Sequence, residues 1–226
     1  MKNLLSAHAV LRAVTFATLT LVGGVSTAQA QDVKGDVAAG QTKAAMCIGC
    51  HGIPGYRASF PEVYQVPMIS GQTPGYIVSA LNAYQKGDRK HPTMRGIAGS
   101  LTEQDKADLA AFYASHGEGA AVAAAAQPSG AVAELLTKGA CAGCHGDNYN
   151  KPADPNSIPK LAGQPADYLY AALRSYKIEG NANVGRANAI MGGQVKQFKD
   201  TELKAIAKYL SSLPAELSVK PNAKFR

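Results

Sequence analysis

Only four cysteines occur in the 226 residues, and they fall in two tight groups, Cys47 with Cys50 and Cys141 with Cys144. No thiol lies outside these groups, which leaves none for a structural disulfide and none for the further ligands a zinc site would need. Histidine is scarce as well: there are five, and none follows His145. After the first thirty residues no apolar run is long enough to span a bilayer. Basic runs and an aromatic platform are also missing, and this sets nucleic-acid binding aside. No segment alternates apolar and polar residues as a half-buried strand would, so the chain reads as all-α.

What is present begins with an export signal. Lys2 and Arg12 make a basic start, residues 13–25 are apolar, and Ala28-Gln29-Ala30 is a small-x-small cleavage site. Cleavage would remove residues 1–30 and leave 196 of the 226 residues, enough for two small domains of roughly 100 residues each. The formal charge of +7 includes Lys2 and Arg12, so the exported part is nearer +5 before any cofactor is counted. A basic excess of that size suits steering toward acidic proteins, or solubility alone. The expected location is the periplasm.

Each cysteine pair is closed by a histidine, giving Cys47-Ile48-Gly49-Cys50-His51 and Cys141-Ala142-Gly143-Cys144-His145. Two thiols about one helical turn apart can form thioethers with the two vinyl groups of a porphyrin, and the adjacent imidazole then reaches the iron. A thioredoxin-like pair has no need of a following histidine, least of all twice. The expected cofactors are therefore two covalently bound c-type haems, attached at Cys47 and Cys50 and at Cys141 and Cys144, with His51 and His145 as proximal ligands.

The motifs are 94 residues apart and the sequence around them repeats. Pro67-Met68-Ile69-Ser70-Gly71-Gln72 is matched 92 residues later by Pro159-Lys160-Leu161-Ala162-Gly163-Gln164. Both copies run into helical stripes: Ile77, Ala80, Leu81 and Tyr84, then Leu169, Ala172, Leu173 and Tyr176. A closing helix follows in each half, one opening at Thr102 and Asp105 with a capping-box pattern, the other near Asp200 with Leu203, Ile206, Ala207 and Leu210. Helices are also expected over 37–46 and 131–140. The expected division is a signal at 1–30, a first domain at 31–117, a Gly- and Ala-rich linker at 118–130 and a second domain at 131–226. The Ala run of the linker is open to a second reading as a short helix, and residues 218–226 read as a loose basic tail.

Elimination narrows the second axial ligand. The second half has no further histidine and one methionine, Met191, in the loop-like stretch 188–193. Its alternatives are a lysine, a partner group or an open position. The first half offers His91, Met94, His116, Met68 and Met46. Met94 and Met191 stand 97 residues apart, which is also the offset of the closing helices. Met68 reads as core, Met46 adjoins the first cysteine, and His116 is expected to be exposed. His91 is the competitor. Met94 and Met191 are the preferred pair. Pro67 and Pro159 either supply carbonyls to the proximal imidazoles or simply shape a turn.

With CIGCH and CAGCH, PMISGQ and PKLAGQ, and a methionine ahead of each closing helix, the chain resembles the dihaem cytochrome c4 family over nearly all of its exported part. The resemblance implies two tandem class I cytochrome c domains packed about a pseudo-twofold axis, His/Met ligation of both irons, and electron transport between respiratory complexes in the periplasm. It implies redox protein partners, either membrane respiratory complexes or a dehydrogenase, with peripheral membrane association left open and a monomer or weak dimer expected. The alternative is the electron-transfer subunit of a periplasmic dehydrogenase such as the flavocytochrome sulfide dehydrogenase type. Catalysis is the weakest reading: a peroxidase needs an opening site, and a thiosulfate-oxidising haem uses a cysteine ligand that this chain lacks.

Overall fold

The computed structural model describes residues 33–117, 122–124, 126–128 and 130–221. The signal at 1–30 and part of the linker lie outside the described residues. Chain from Val33 onward forms one compact unit made of two related halves. In the first half, α1 (Val37–Lys43) starts where the Asp36 carboxylate accepts from the Ala39 N–H at 2.7 Å. The cysteine motif itself is helical, in α2 (Ala45–His51). Then come α3 (Pro74–Lys86), the short α4 (Pro92–Gly99) and α5 (Glu103–Ser115). Pro74 opens α3 at a position where no amide is needed, and Gly87 at φ 86° ends it. The capping box of α5 is complete, with Thr102 and Asp105 each satisfying the other's backbone amide.

The second half repeats the order with α6 (Ala131–Lys138), α7 (Cys141–His145), α8 (Ala166–Ser175), α9 (Ala189–Lys196) and α10 (Asp200–Ser211). At the start of α10 the Glu202 carboxylate accepts from the Lys199 N–H at 2.6 Å; a lysine side chain has no acceptor, so only this half of a capping box operates. Each half has its own apolar core. Ile77, Leu101, Leu109 and Tyr113 anchor the first. Leu169, Val195, Phe198, Leu203, Ile206 and Leu210 anchor the second. The stripes of α3 and α8 thus face inward as their spacing predicts.

Strand content is small but not nil. Two-residue strands β1 (Arg57–Ala58) and β2 (Tyr64–Gln65) pair within the first half. More consequential are β3 (Arg89–Lys90) and β4 (Gly185–Arg186), which pair across the two halves with Arg89 opposite Arg186. Two-residue strands are too short to leave an alternation in the sequence. The segment after α10 also differs from a loose tail at its start. Leu217 is buried, and the Ser218 N–H donates to the Ser70 carbonyl of the first half at 3.0 Å.

A reciprocal clamp ties the halves together. Gln164 accepts from the Met68 N–H at 3.0 Å and donates to the Met68 carbonyl at 2.7 Å. Gln72 accepts from the Lys160 N–H at 3.0 Å and donates to the Lys160 carbonyl at 3.1 Å. Both glutamines are 4% exposed, and they occupy equivalent places in the repeat. Ion pairs Arg57–Asp167 and Arg174–Glu62 add to the seam at 2.6 Å and 3.2 Å. Because these pairs are partly exposed, their main effect is on register, each contributing about 0–1 kcal/mol.

Candidate haem sites

In the first half the motif helix and α4 face a common space. Cys47, Cys50, His51 and Met94 line one cavity of about 620 Å³. Its walls are largely apolar, with Ile77, Leu81, Ile97, Leu101 and Leu109 among them. A site of this size and lining suits a large, flat, mostly apolar group. His51 Nδ1 lies 2.8 Å from the Pro67 carbonyl, and His145 Nδ1 lies 2.9 Å from the Pro159 carbonyl. The carbonyl reading of the two prolines is therefore the one realised. Burial outweighs the opposing carbonyl and lowers the pKa of both imidazoles, favouring the neutral ring that a metal ligand requires. In the second half Cys141 and Met191 pack against the same apolar core, beside Leu161, Leu173 and Tyr176.

The methionines stand on helices rather than in loops. Met191 is the third residue of α9, and Met94 holds the same place in α4. Both helices are capped alike. Asn188 Oδ1 accepts from the Met191 N–H at 2.9 Å, and His91 Nδ1 accepts from the Met94 N–H at 3.3 Å. His91, the competing ligand of the sequence reading, thus caps the helix that carries Met94. Met46 is more than half exposed. Met68 is half-buried in the clamp between halves rather than core. His116, expected to be exposed, is half-buried, with Nδ1 2.9 Å from the Ser70 hydroxyl and Phe112 packed on its ring.

A cluster of tyrosines and arginines closes the cavity between the halves. Arg89 donates to the Tyr76 hydroxyl at 3.1 Å and stacks over Tyr84, with its guanidinium carbon 4.6 Å from the ring centre. Arg186 donates to the Tyr168 hydroxyl at 3.3 Å and stacks over Tyr176 at 5.4 Å. The two sets are related by the repeat, residue for residue. Burial would raise the Tyr168 phenol, but Arg186 and Arg89 outweigh it and lower its pKa. Arg89 Nε is a buried donor with no partner among the described residues. Two cations beside an unfilled donor in this cavity fit a group that brings carboxylates, as haem does with its propionates. The sequence reading passed over this cluster and the two glutamines. Their signal was the repeat offset, which pairs Arg89 with Arg186 just as it pairs Met94 with Met191.

Two attachment motifs, two carbonyl-oriented histidines and two cores of helices define the class: a dihaem c-type cytochrome. A family model for cytochrome c matches residues 130–214. The chain is 32% identical to cytochrome c4 of Thiocapsa roseopersicina over 194 residues, covering 79% of this chain and 93% of that protein. It is 30% identical to the thiosulfate dehydrogenase electron acceptor of Stutzerimonas stutzeri, covering 77% and 82%. Among solved structures, reduced cytochrome c4 from Pseudomonas stutzeri superposes with a TM-score of 0.58 at 27% identity, over 79% of this chain and 99% of that one. The chain belongs to the cytochrome c4 family. It is an electron-transfer protein carrying two covalently bound c-type haems. No described helix is long and apolar enough to cross a membrane.

Proposed function

We propose that residues 31–117 and 131–226 act as two cytochrome c domains joined at 118–130, each holding one iron between a histidine and a methionine: His51 with Met94, and His145 with Met191. Cys47, Cys50, Cys141 and Cys144 carry the thioether links. The single observation that carries this reading is the shared frame of the two halves: each imidazole bonds a proline carbonyl, and each methionine is third in a side-chain-capped helix. The bound iron supplies one-electron exchange between ferrous and ferric states. Residues Arg89, Arg186, Tyr76 and Tyr168 would hold the propionates, while the apolar walls keep water from the first iron's surroundings.

A protein with both axial positions filled has no vacant site for a substrate, which supports a carrier without catalysis of its own. Its place is the periplasm, where it accepts electrons from a donor and passes them to a terminal acceptor of the respiratory chain. The thiosulfate dehydrogenase electron acceptor among its relatives favours a second reading, in which the donor is a periplasmic dehydrogenase. Carbon monoxide tests the ligands. Ferrous wild-type protein should ignore it, and Met94→Ala and Met191→Ala should each bind one equivalent and lose half of the ferric sulfur-to-iron near-infrared band. Binding of carbon monoxide by the wild type would sink the His/Met assignment.

A further inference from the structure

Each proximal histidine leans on a peptide group that the opposite half grips. The Pro67 carbonyl and the Met68 N–H belong to one peptide unit. His51 bonds its carbonyl end at 2.8 Å, and Gln164 of the second half accepts from its N–H end at 3.0 Å. In the mirror arrangement the Pro159–Lys160 peptide bonds His145 at 2.9 Å and Gln72 of the first half at 3.0 Å. A peptide is a resonance-coupled plane, so a bond accepted from its N–H polarises its carbonyl and makes that oxygen a better acceptor. Stronger acceptance from an imidazole N–H makes the other ring nitrogen a stronger electron donor to a metal.

We propose that Gln164 and Gln72 are crossed positioning residues: each tunes the iron of the half to which it does not belong. The second contact of each amide, to the Met68 or Lys160 carbonyl, fixes the side chain so that it cannot rotate away. Burial of both glutamines keeps water from substituting for them. Any movement at the seam therefore reaches both histidines through one peptide each. The inference rests on His51 and His145 being iron ligands.

The test uses the dihaem holoprotein with Gln164→Ala and Gln72→Ala, and Gln164→Met and Gln72→Met as volume-filling variants should the cavity unfold the seam. Optical redox titration resolves the two one-electron steps, and paramagnetic proton NMR of the haem methyls assigns each step to a half. Loss of Gln164 should raise the reduction potential of the His51 haem and leave the other nearly unmoved; loss of Gln72 should do the reverse. The proposal fails if the shift falls on the glutamine's own half, is equal in both, is downward or is absent. Strongly shifted ring protons from both histidines in the wild type separate the cases: without them the ligand reading itself fails, whereas with them only the crossed tuning does.

Discussion

At the scale of single residues, His91 carries the clearest consequence. It sits three places before Met94, and an imidazole there is a credible iron ligand on sequence alone. Its Nδ1 is committed to the Met94 amide, in the place that Asn188 fills in the other half. Replacing a helix cap with alanine costs about 1 kcal/mol, and asparagine is among the best caps. His91→Ala should therefore lower the thermal midpoint while keeping the near-infrared methionine band, and His91→Asn should restore the midpoint. Melting curves with spectra of the same samples check both; a band of half strength in the wild type that rises in His91→Asn would make the histidine the ligand in place of Met94. The repeat pointed to Met94 but was silent on the reason for His91, because a cap is recognisable only once the helix start is known.

At the scale of elements, the fold depends on how closely α1 approaches α5. An added Cβ at Gly40 would lie 2.1 Å from the Asp108 carbonyl oxygen, which is backbone and cannot swing aside. The same crossing is held by Lys43, whose ammonium bonds Asp108 at 2.6 Å and Asp105 at 2.7 Å. Gly40→Ala should force the helices apart and cost about 1–3 kcal/mol, the usual range for overpacking. A denaturant midpoint that falls by that amount is the expected result, and an unchanged midpoint would show that α1 does not close on α5. Helix stripes and the α5 capping box were legible from spacing. The α4 and α9 helices were not, since eight residues with two glycines among them resemble a loop until their caps and neighbours are seen.

At the scale of the whole molecule, the halves meet across paired strands on which Arg89 stands opposite Arg186. Buried cations favour the more electron-rich state of a nearby metal, so they raise its potential. At an effective dielectric constant of about 20, a unit charge roughly 10 Å away is worth about 1.7 kcal/mol, or about 70 mV for one electron. Arg89→Met should lower the potential of the first haem by tens of millivolts on this scale, and Arg89→Lys should recover most of the loss. Potentiometric titration at fixed ionic strength decides it, and equal potentials in both variants would mean that the charge at this position is not felt by the iron.

The sequence by itself determined the cofactor type, the number of haems, the all-α class and the register of the two halves. Attachment chemistry demands adjacent residues in a set order, and helical periodicity and duplication are local or additive features of a string. Only the tertiary structure decided what lies between the halves: the crossed glutamines, the arginine pair, the strand pairing of residues 89–90 with 185–186 and the anchoring of Ser218. Those contacts join positions some ninety or more residues apart through single side chains or a few backbone bonds, and a glutamine or arginine looks the same in a sequence whether it faces water or another peptide.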